Sequence, residues 1–255
     1  MTAVSLARAF ERYFDIVPAD TPGLIERAFR VRGDVYCKEF GYEREEDCPN
    51  GLESDEFDHW SKHCLVQHVG TGRTAGCVRV VEPPSGDPQA LLPLQMYCAA
   101  SLWSGPLHPH ANPKESLCEV SRLAVHSDFR RRQGESKSPL GDMEALADQE
   151  LEQRSYPLIS VALFLAATAL VVRGGRSHVY AMMEPRLARL LRRSGLAFEQ
   201  VGETIDYHGK RAAFHIHIDA ALSGMEQALL HLYRNLARRL GADPRIGTYL
   251  ANDEG

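Results

Sequence analysis

The sequence predicts a mixed α/β (α+β) domain built on one mixed central sheet flanked by helices. Three observations predict it. Cys64 to Val69 and Thr74 to Val81 are apolar, β-branched runs separated by Gly70-Thr-Gly72-Arg, which is the composition of a hairpin. Further on, strand-like runs (Leu117 to Val125, Val179 to Met183, Arg211 to Ile218) alternate with helical ones (Leu158 to Arg173, Pro185 to Arg193, Leu222 to Leu240). Both parts follow a helical N-terminal region.

That region begins with an amphipathic pattern over Val4 to Ile16. A second helix is expected from about Leu24 to Phe40, with Thr21 as N-cap and Pro22 at its first position. Gly41 to Trp60 is polar, acidic and punctuated by Gly and Pro, so it reads as a loop. Glu82 to Pro88 is a break, Gln89 to Trp103 a short helix and Pro106 to Pro113 another loop. Arg130 to Asp142 is a basic and then Ser/Pro/Gly-rich connection. The apolar run Leu158 to Val172 makes a helix of roughly 22 Å, short of the ~30 Å hydrocarbon slab, and reads as a buried core helix ended by Gly174-Gly175. No internal repeat is visible. One domain is expected over residues 1–255, with its core at about 22–220 and a C-terminal helix at 222–240.

Of the 255 residues, 44% are hydrophobic and 25% charged, and the net charge is −5. These values exclude disordered, collagenous and disulfide-scaffold classes, and the bulk charge argues against nucleic acid as a partner. The six cysteines form no CxxC pair, and the reading is of buried small hydrophobes in a reducing cytoplasm. Arg8, Glu11 and Arg12 interrupt the N-terminal apolar pattern, so no signal peptide is expected there. His63, His68, His178, His215 and His217 do not gather at metal spacing, and no metal is expected.

Three clusters carry chemistry. Glu53, Asp55 and Asp58 crowd one loop, where they either orient a cationic amine or pair with arginines from elsewhere; Phe57 among them argues for a docked loop. Glu119, Ser121 and Arg122 lie within an otherwise apolar strand, where charge is costly unless paired. Alternation puts Glu119 and Ser121 on one face and Arg122 on the other unless a bulge intervenes. Arg79 and Arg32 are the natural partners for these carboxylates. Arg130, Arg131 and Arg132, with Gly134, have the composition of an anion-binding turn.

Together the motifs Arg30-x-Arg32-x-x-Val35, Glu53-x-Asp55-x-x-Asp58, Gly76-x-x-Arg79 and Glu119-x-Ser121-Arg122-x-x-Val125 resemble the acyl-homoserine-lactone (autoinducer) synthases, relatives of the GCN5-type (GNAT) N-acyltransferases. The order and spacing agree over about residues 25–218. Gly41-Tyr42, where the autoinducer synthases usually have Gly-Trp, and the run Tyr36 to Glu43 look closer to the N-acyl amino acid synthases, and closer still to the acyltransferases found with PEP-CTERM/exosortase systems. The resemblance implies a GNAT-like fold. It also implies transfer of a long-chain acyl group from acyl carrier protein to the amine of an amino acid. The alternatives are lactone synthesis from S-adenosylmethionine and acyl transfer from coenzyme A. The weakened pyrophosphate cradle Arg131-Arg-Gln-Gly134-Glu-Ser136 suits a carrier-protein donor, a phosphopantetheine thioester acting as co-substrate, with no tightly bound cofactor.

In the expected mechanism Glu119 is the first candidate for the base and Glu53 the second, with Arg122 beside them. Arg79 and Arg122 fix the acidic loop or the acceptor's carboxylate, and Arg32, Asp55, Asp58 and Ser121 complete the substrate site. Backbone N–H groups at a bulge after Arg122 hold the oxyanion. The acyl tail runs between the sheet and the helices at 24–40 and 158–172. Arg130, Arg131, Arg132, Gly134, Arg189 and Arg193 face the acidic carrier protein and its phosphopantetheine. A cytoplasmic enzyme with no membrane-spanning segment, and at most peripheral contact through its lipid product, is expected.

Overall fold

A computed structural model describes residues 3–130 and 155–243. In chain order the elements are α1 (Ala3–Tyr13), β1 (Phe14–Pro18), α2 (Pro22–Arg32), β2 (Ser61–His68), β3 (Thr74–Val81), α3 (Pro93–Tyr97), β4 (Leu117–Val125), α4 (Pro157–Arg173), β5 (His178–Met183), α5 (Pro185–Arg193), β6 (Glu199–Gln200), β7 (Ile205–Asp206), β8 (Lys210–His217), α6 (Ile218–Gly224) and α7 (Gln227–Arg239). Among the described residues the sheet has eight strands in the order β1-β2-β3-β4-β5-β8-β6, with β7 on β8. Every pairing is antiparallel except β4 with β5. This is the mixed sheet between helices that the patterning predicts.

The two faces are covered by different helices. Cys64, Val66, Val78, Val80 and Val125 pack with α4, whose run from Leu158 to Val171 is almost wholly buried; α1 and α7 close that side. Leu65, Cys77 and Ala124 point the other way, onto Ala28, Val31 and Val35 of α2 and the turn after it. Alternation along β2 and β3 thus feeds two separate apolar layers. No helix among the described residues is long and apolar enough to cross a membrane.

Two local features open the sheet. β4 and β5 pair only at Leu117–His178, Cys118–Val179 and Glu119–Tyr180, and beyond these residues the strands part. The register of β3 against β4 also slips between Cys77 and Arg79, because β4 carries one extra residue there. Arg122, at φ +49°, is that bulge. Without it the Arg122 side chain would join Val120 on the α4 face; the extra residue turns Arg122 toward the acidic loop and gives that face Leu123 instead.

The structure corrects several expectations. The expected helix 4–16 ends at Tyr13, because Phe14 and Ile16 are buried in strand alternation and pair with β2. The second helix is α-helical only to Arg32 and continues as a π-helical turn over Gly33–Glu39. A Cβ on Gly33 would lie 2.1 Å from the Gly51 carbonyl oxygen, so helix and acidic loop touch backbone to backbone. The closing helix 222–240 is two helices, α6 and α7, broken where Gly224 meets Gly195. All six cysteines are buried, but they are not all reduced: Cys37 and Cys48 form a disulfide, because the π-helical turn and the loop bring them together.

Gly195 has φ +87°, and a Cβ there would lie 1.8 Å from the Gly224 carbonyl oxygen. Gly195→Ala is therefore expected to destabilise the protein by about 2 kcal/mol or more. Gly23→Ala, with nothing within 4 Å of its Cβ, is expected to be neutral or slightly stabilising. Thermal unfolding of both variants checks the contrast.

Candidate active site

The acidic loop is built to be held. Its Glu53 N–H donates to the Phe29 carbonyl of α2 at 3.1 Å. Asp55 caps the turn Glu56–Trp60, accepting from the Phe57 N–H at 3.0 Å, while Asp58 accepts from the Asp55 N–H at 2.8 Å. Phe57 is fully buried against Trp60 and Tyr97. These contacts turn Glu53, Asp55 and Asp58 inward.

Three arginines from three elements meet them. Arg32, at the end of α2 and fully buried, donates to Glu53 and grips Asp58 with two bonds of 2.7 and 3.0 Å. Arg79 of β3 donates to Asp55, to Asp58 at 2.8 Å and to the Ser121 hydroxyl at 3.1 Å. Arg122 donates to Glu53 at 3.1 Å and reaches Glu43 at 3.3 Å and Asp55 at 3.2 Å. Each guanidinium also lies near an aromatic ring: Phe29 for Arg32, Phe57 for Arg79 and Tyr36 for Arg122. Three positive and three inner negative charges balance, which is the condition for burying them.

The electrostatics follow from this pairing. Burial alone would raise the pKa of Asp58, but the Arg32 guanidinium, its hydrogen bonds, Arg79 and the Asp55 amide outweigh it and hold the carboxyl well below its usual range. Glu53 is likewise lowered, with burial opposed by Arg122 and Arg32. His63, whose Nε2 lies 3.5 Å from Asp58, is pushed down to about 4 because burial and the nearby arginines outweigh the pull of Asp58, so it stays neutral.

Glu119 behaves oppositely. It sits on the same strand two residues before Ser121, yet its described hydrogen bond is from the Leu94 N–H at 2.8 Å. Burial pushes its pKa up to about 8, and Arg79 and Arg122 only partly offset this. Glu119, Asp55, Arg79, Ser121 and Arg122 line one open pocket of about 660 Å³, with Tyr36, Tyr42, Glu43, Tyr207, His208 and Arg211 on its other walls. A second pocket of about 550 Å³ shares Tyr36, Ser121, Arg122, Met182 and Arg211 with it and fills the gap where β4 and β5 part. A third, of about 410 Å³ and almost wholly apolar, continues from Val120, Phe164 and Ala181 between the sheet, α4 and α6. The three form a path from charged to greasy. It passes along α4 as expected, whereas α2 lies on the other face and contributes only Tyr36 through its π-helical extension.

The structure thus brings together Arg32, Glu53, Asp55, Asp58, Arg79, Glu119, Ser121 and Arg122. It separates others. The Arg130 side chain is buried, paired with Glu39 and packed over Phe40, a placement that argues against a role in holding phosphate. Arg131, Arg132 and Gly134 lie outside the described residues. Arg189 and Arg193 are exposed on α5 with Arg186 and Arg192. Cys118 is buried, its thiol raised by burial, and it faces α4. Sequence reasoning did not single out Glu43, Tyr207, His208 or Arg211 as pocket residues. The His208-Gly209 turn between β7 and β8, with positive φ at both residues, was the available signal for the hairpin that carries three of them.

Comparison with known proteins agrees with this geometry. Residues 31–137 match the acetyltransferase (GNAT) domain family. No curated protein sequence matches the chain. Among solved structures, the acyl-homoserine-lactone (AHL) synthase LasI is similar with a TM-score of 0.57 at 15% identity, over 85% of this chain and 94% of that one. FeeM, an N-acyl amino acid synthase from uncultured soil microbes, gives 0.55 at 16% identity over 83% and 94%. BjaI, a CoA-dependent acyl-homoserine lactone synthase solved with SAM and isopentyl-CoA, gives 0.52 at 19% over 88% and 89%.

Arg32→Met would leave Glu53 and Asp58 buried beside one fewer cation. It is expected to destabilise the protein by about 3–5 kcal/mol, read by denaturant unfolding. The stabilisation from Asp58, whose folded pKa is depressed, is present above its unfolded value near 3.8 and is lost as pH falls through the folded one. The gap between wild type and variant should therefore narrow in acid.

The matched domain and the architecture agree: residues 31–137 carry a match to the acetyltransferase (GNAT) domain, and the chain has the fold shared by acyl-homoserine-lactone synthases and an N-acyl amino acid synthase.

Proposed function

We propose that this protein transfers a long-chain fatty acyl group from acyl carrier protein to the amine of an amino acid, releasing an N-acyl amino acid in the cytoplasm. The observation that carries the reading is the raised-pKa Glu119 beside the neutralised acid–arginine cluster, at the head of a path that becomes apolar. A base is needed where the amine enters, and a greasy groove where the acyl tail lies.

The amine nitrogen attacks the thioester carbonyl. A C–N bond forms and the C–S bond breaks. Of the two protons the ammonium gives up, Glu119 accepts one and the departing thiolate carries the other. The bulge at Arg122 frees backbone N–H groups from ladder pairing near the place where the oxyanion develops. Arg32, Arg79 and Arg122 act by holding Glu53, Asp55 and Asp58 in place. Exposed Arg186, Arg189, Arg192 and Arg193 on α5 give an acidic carrier protein a basic face to dock on.

Purified protein incubated with acyl-carrier-protein and acyl-CoA thioesters, amino acids and S-adenosylmethionine tests the reading. Mass spectrometry is expected to find an N-acyl amino acid made from the carrier-protein donor; a lactone with release of methylthioadenosine would replace it with autoinducer synthesis. Glu119→Gln is expected to lower kcat by about 100- to 10,000-fold. The acid limb of the wild-type kcat/KM profile, which rises with pH toward about 8 as Glu119 ionises, should vanish with it. The sign for stability is opposite: a carboxyl whose folded pKa lies above its unfolded value favours folding while protonated. Wild type should therefore lose stability between about pH 5 and 8, by a few kcal/mol relative to Glu119→Gln. The double variant Arg189→Glu/Arg193→Glu is expected to raise KM for the carrier-protein thioester and spare small thioesters. A silent double variant would remove α5 as the docking face.

A further inference from the structure

Resting on the reading above, we infer that Arg211 of β8 anchors the carboxylate of the acceptor, so that the acceptor is a free α-amino acid. Three guanidiniums line the polar pocket: Arg79, Arg122 and Arg211. The first two are committed. Arg79 pairs with Asp55 and Asp58 and donates its Nε to Ser121, and Arg122 pairs with Glu53, Glu43 and Asp55. An incoming carboxylate would have to displace a carboxylate already paired in a desolvated cluster. Arg211 differs. Its Nε donates to the His208 carbonyl oxygen at 3.3 Å and its guanidinium lies over the Tyr42 ring at 5.6 Å, but among the described residues no carboxylate pairs with it.

The surroundings supply the rest of the recognition. Arg211 lines both the polar pocket and the adjoining one, at the junction where the amine must meet the thioester. The His208 contact and the Tyr42 ring fix the guanidinium plane, and a fixed fork binds a carboxylate with two parallel bonds. Glu43 and Asp55 line the same pocket and supply its anionic side, with Glu119 beside them as the base. A pocket with a guanidinium that no described carboxylate pairs on one wall, and carboxylates on another, matches a small molecule bearing a carboxylate and an amine. This reassigns the role expected of Arg79 and Arg122: they hold the loop, and Arg211 holds the substrate. The other anion within reach of the junction is the phosphodiester of the donor's phosphopantetheine arm, and the test separates the two.

The experiment compares each amino acid acceptor with its carboxamide, in wild type, Arg211→Gln and Arg211→Lys, at fixed thioester donor. Wild type is expected to prefer the acid. Arg211→Gln should lower kcat/KM for the acid by about 100-fold while leaving the amide nearly unchanged, and Arg211→Lys should recover part of the loss. An unchanged thermal midpoint in Arg211→Gln would show that the fold is intact. The assignment is overturned if the variant loses acid and amide equally, or if it raises KM for the donor and not for the acceptor, the outcome for a phosphate contact. If wild type acylates no amino acid, the N-acyl amino acid reading fails and this inference falls with it. If wild type acylates amino acids and Arg211→Gln keeps the preference for the acid, only the role of Arg211 falls.

Discussion

Everything near the pocket depends on one balanced lattice of charge: Arg32, Arg79 and Arg122 against Glu53, Asp55 and Asp58. Taken out of water singly, each of these groups would cost several kcal/mol, and together they are tolerated because every guanidinium pairs with at least two carboxylates. The lattice draws on four pieces of chain: the end of α2, the acidic loop, β3 and the β4 bulge. None can shift without breaking a pair held by another. A long loop thereby becomes as well placed as the sheet beside it, which is what a site on a loop requires.

The lattice also explains why Glu119 is so different from its neighbours. Asp58 and Glu53 are buried with arginine partners and kept ionised, whereas Glu119 is buried with one backbone amide and resists ionisation. Carboxylates a few ångströms from shared arginines are thus divided into structural anions and a group ready to exchange a proton, purely by who their partners are. Arg79 and Arg122 do pull the Glu119 pKa down, but burial outweighs them.

Much of this was legible in the residues. The run Leu117–Val125 announced β4 to the residue, Pro185–Arg193 announced α5, and the Gly-Thr-Gly turn announced the β2–β3 hairpin. Crowded acids and mid-strand arginines could be paired on cost alone. What the sequence hid were decisions made by contacts far away in the chain. Helical periodicity runs on into Phe14 and Ile16, and only pairing with β2 makes them a strand. Alternation sends Arg122 to the wrong face, and the bulge that corrects it is set by register against β3. Arg130 reads as part of an anion site until Glu39, 91 residues away in sequence, is found beside it. Cys37 and Cys48 carry no pairing motif; a π-helical turn brings them together.

Residues 44–47, all exposed, span a short arch with both feet fixed. At one foot the Tyr36 carbonyl accepts from the N–H groups of Tyr42 and Glu43 at 2.7 and 3.3 Å, and at the other Cys48 is tied to Cys37. Glu43 and Tyr42 stand on the first foot and border the pocket, yet neither is an inner member of the charge lattice. Insertions or exchanges in the arch therefore reshape the rim while the anchored interior stays put. A lineage, or a designer, wishing to admit a different amine has a place to vary that leaves the scaffold's electrostatics alone.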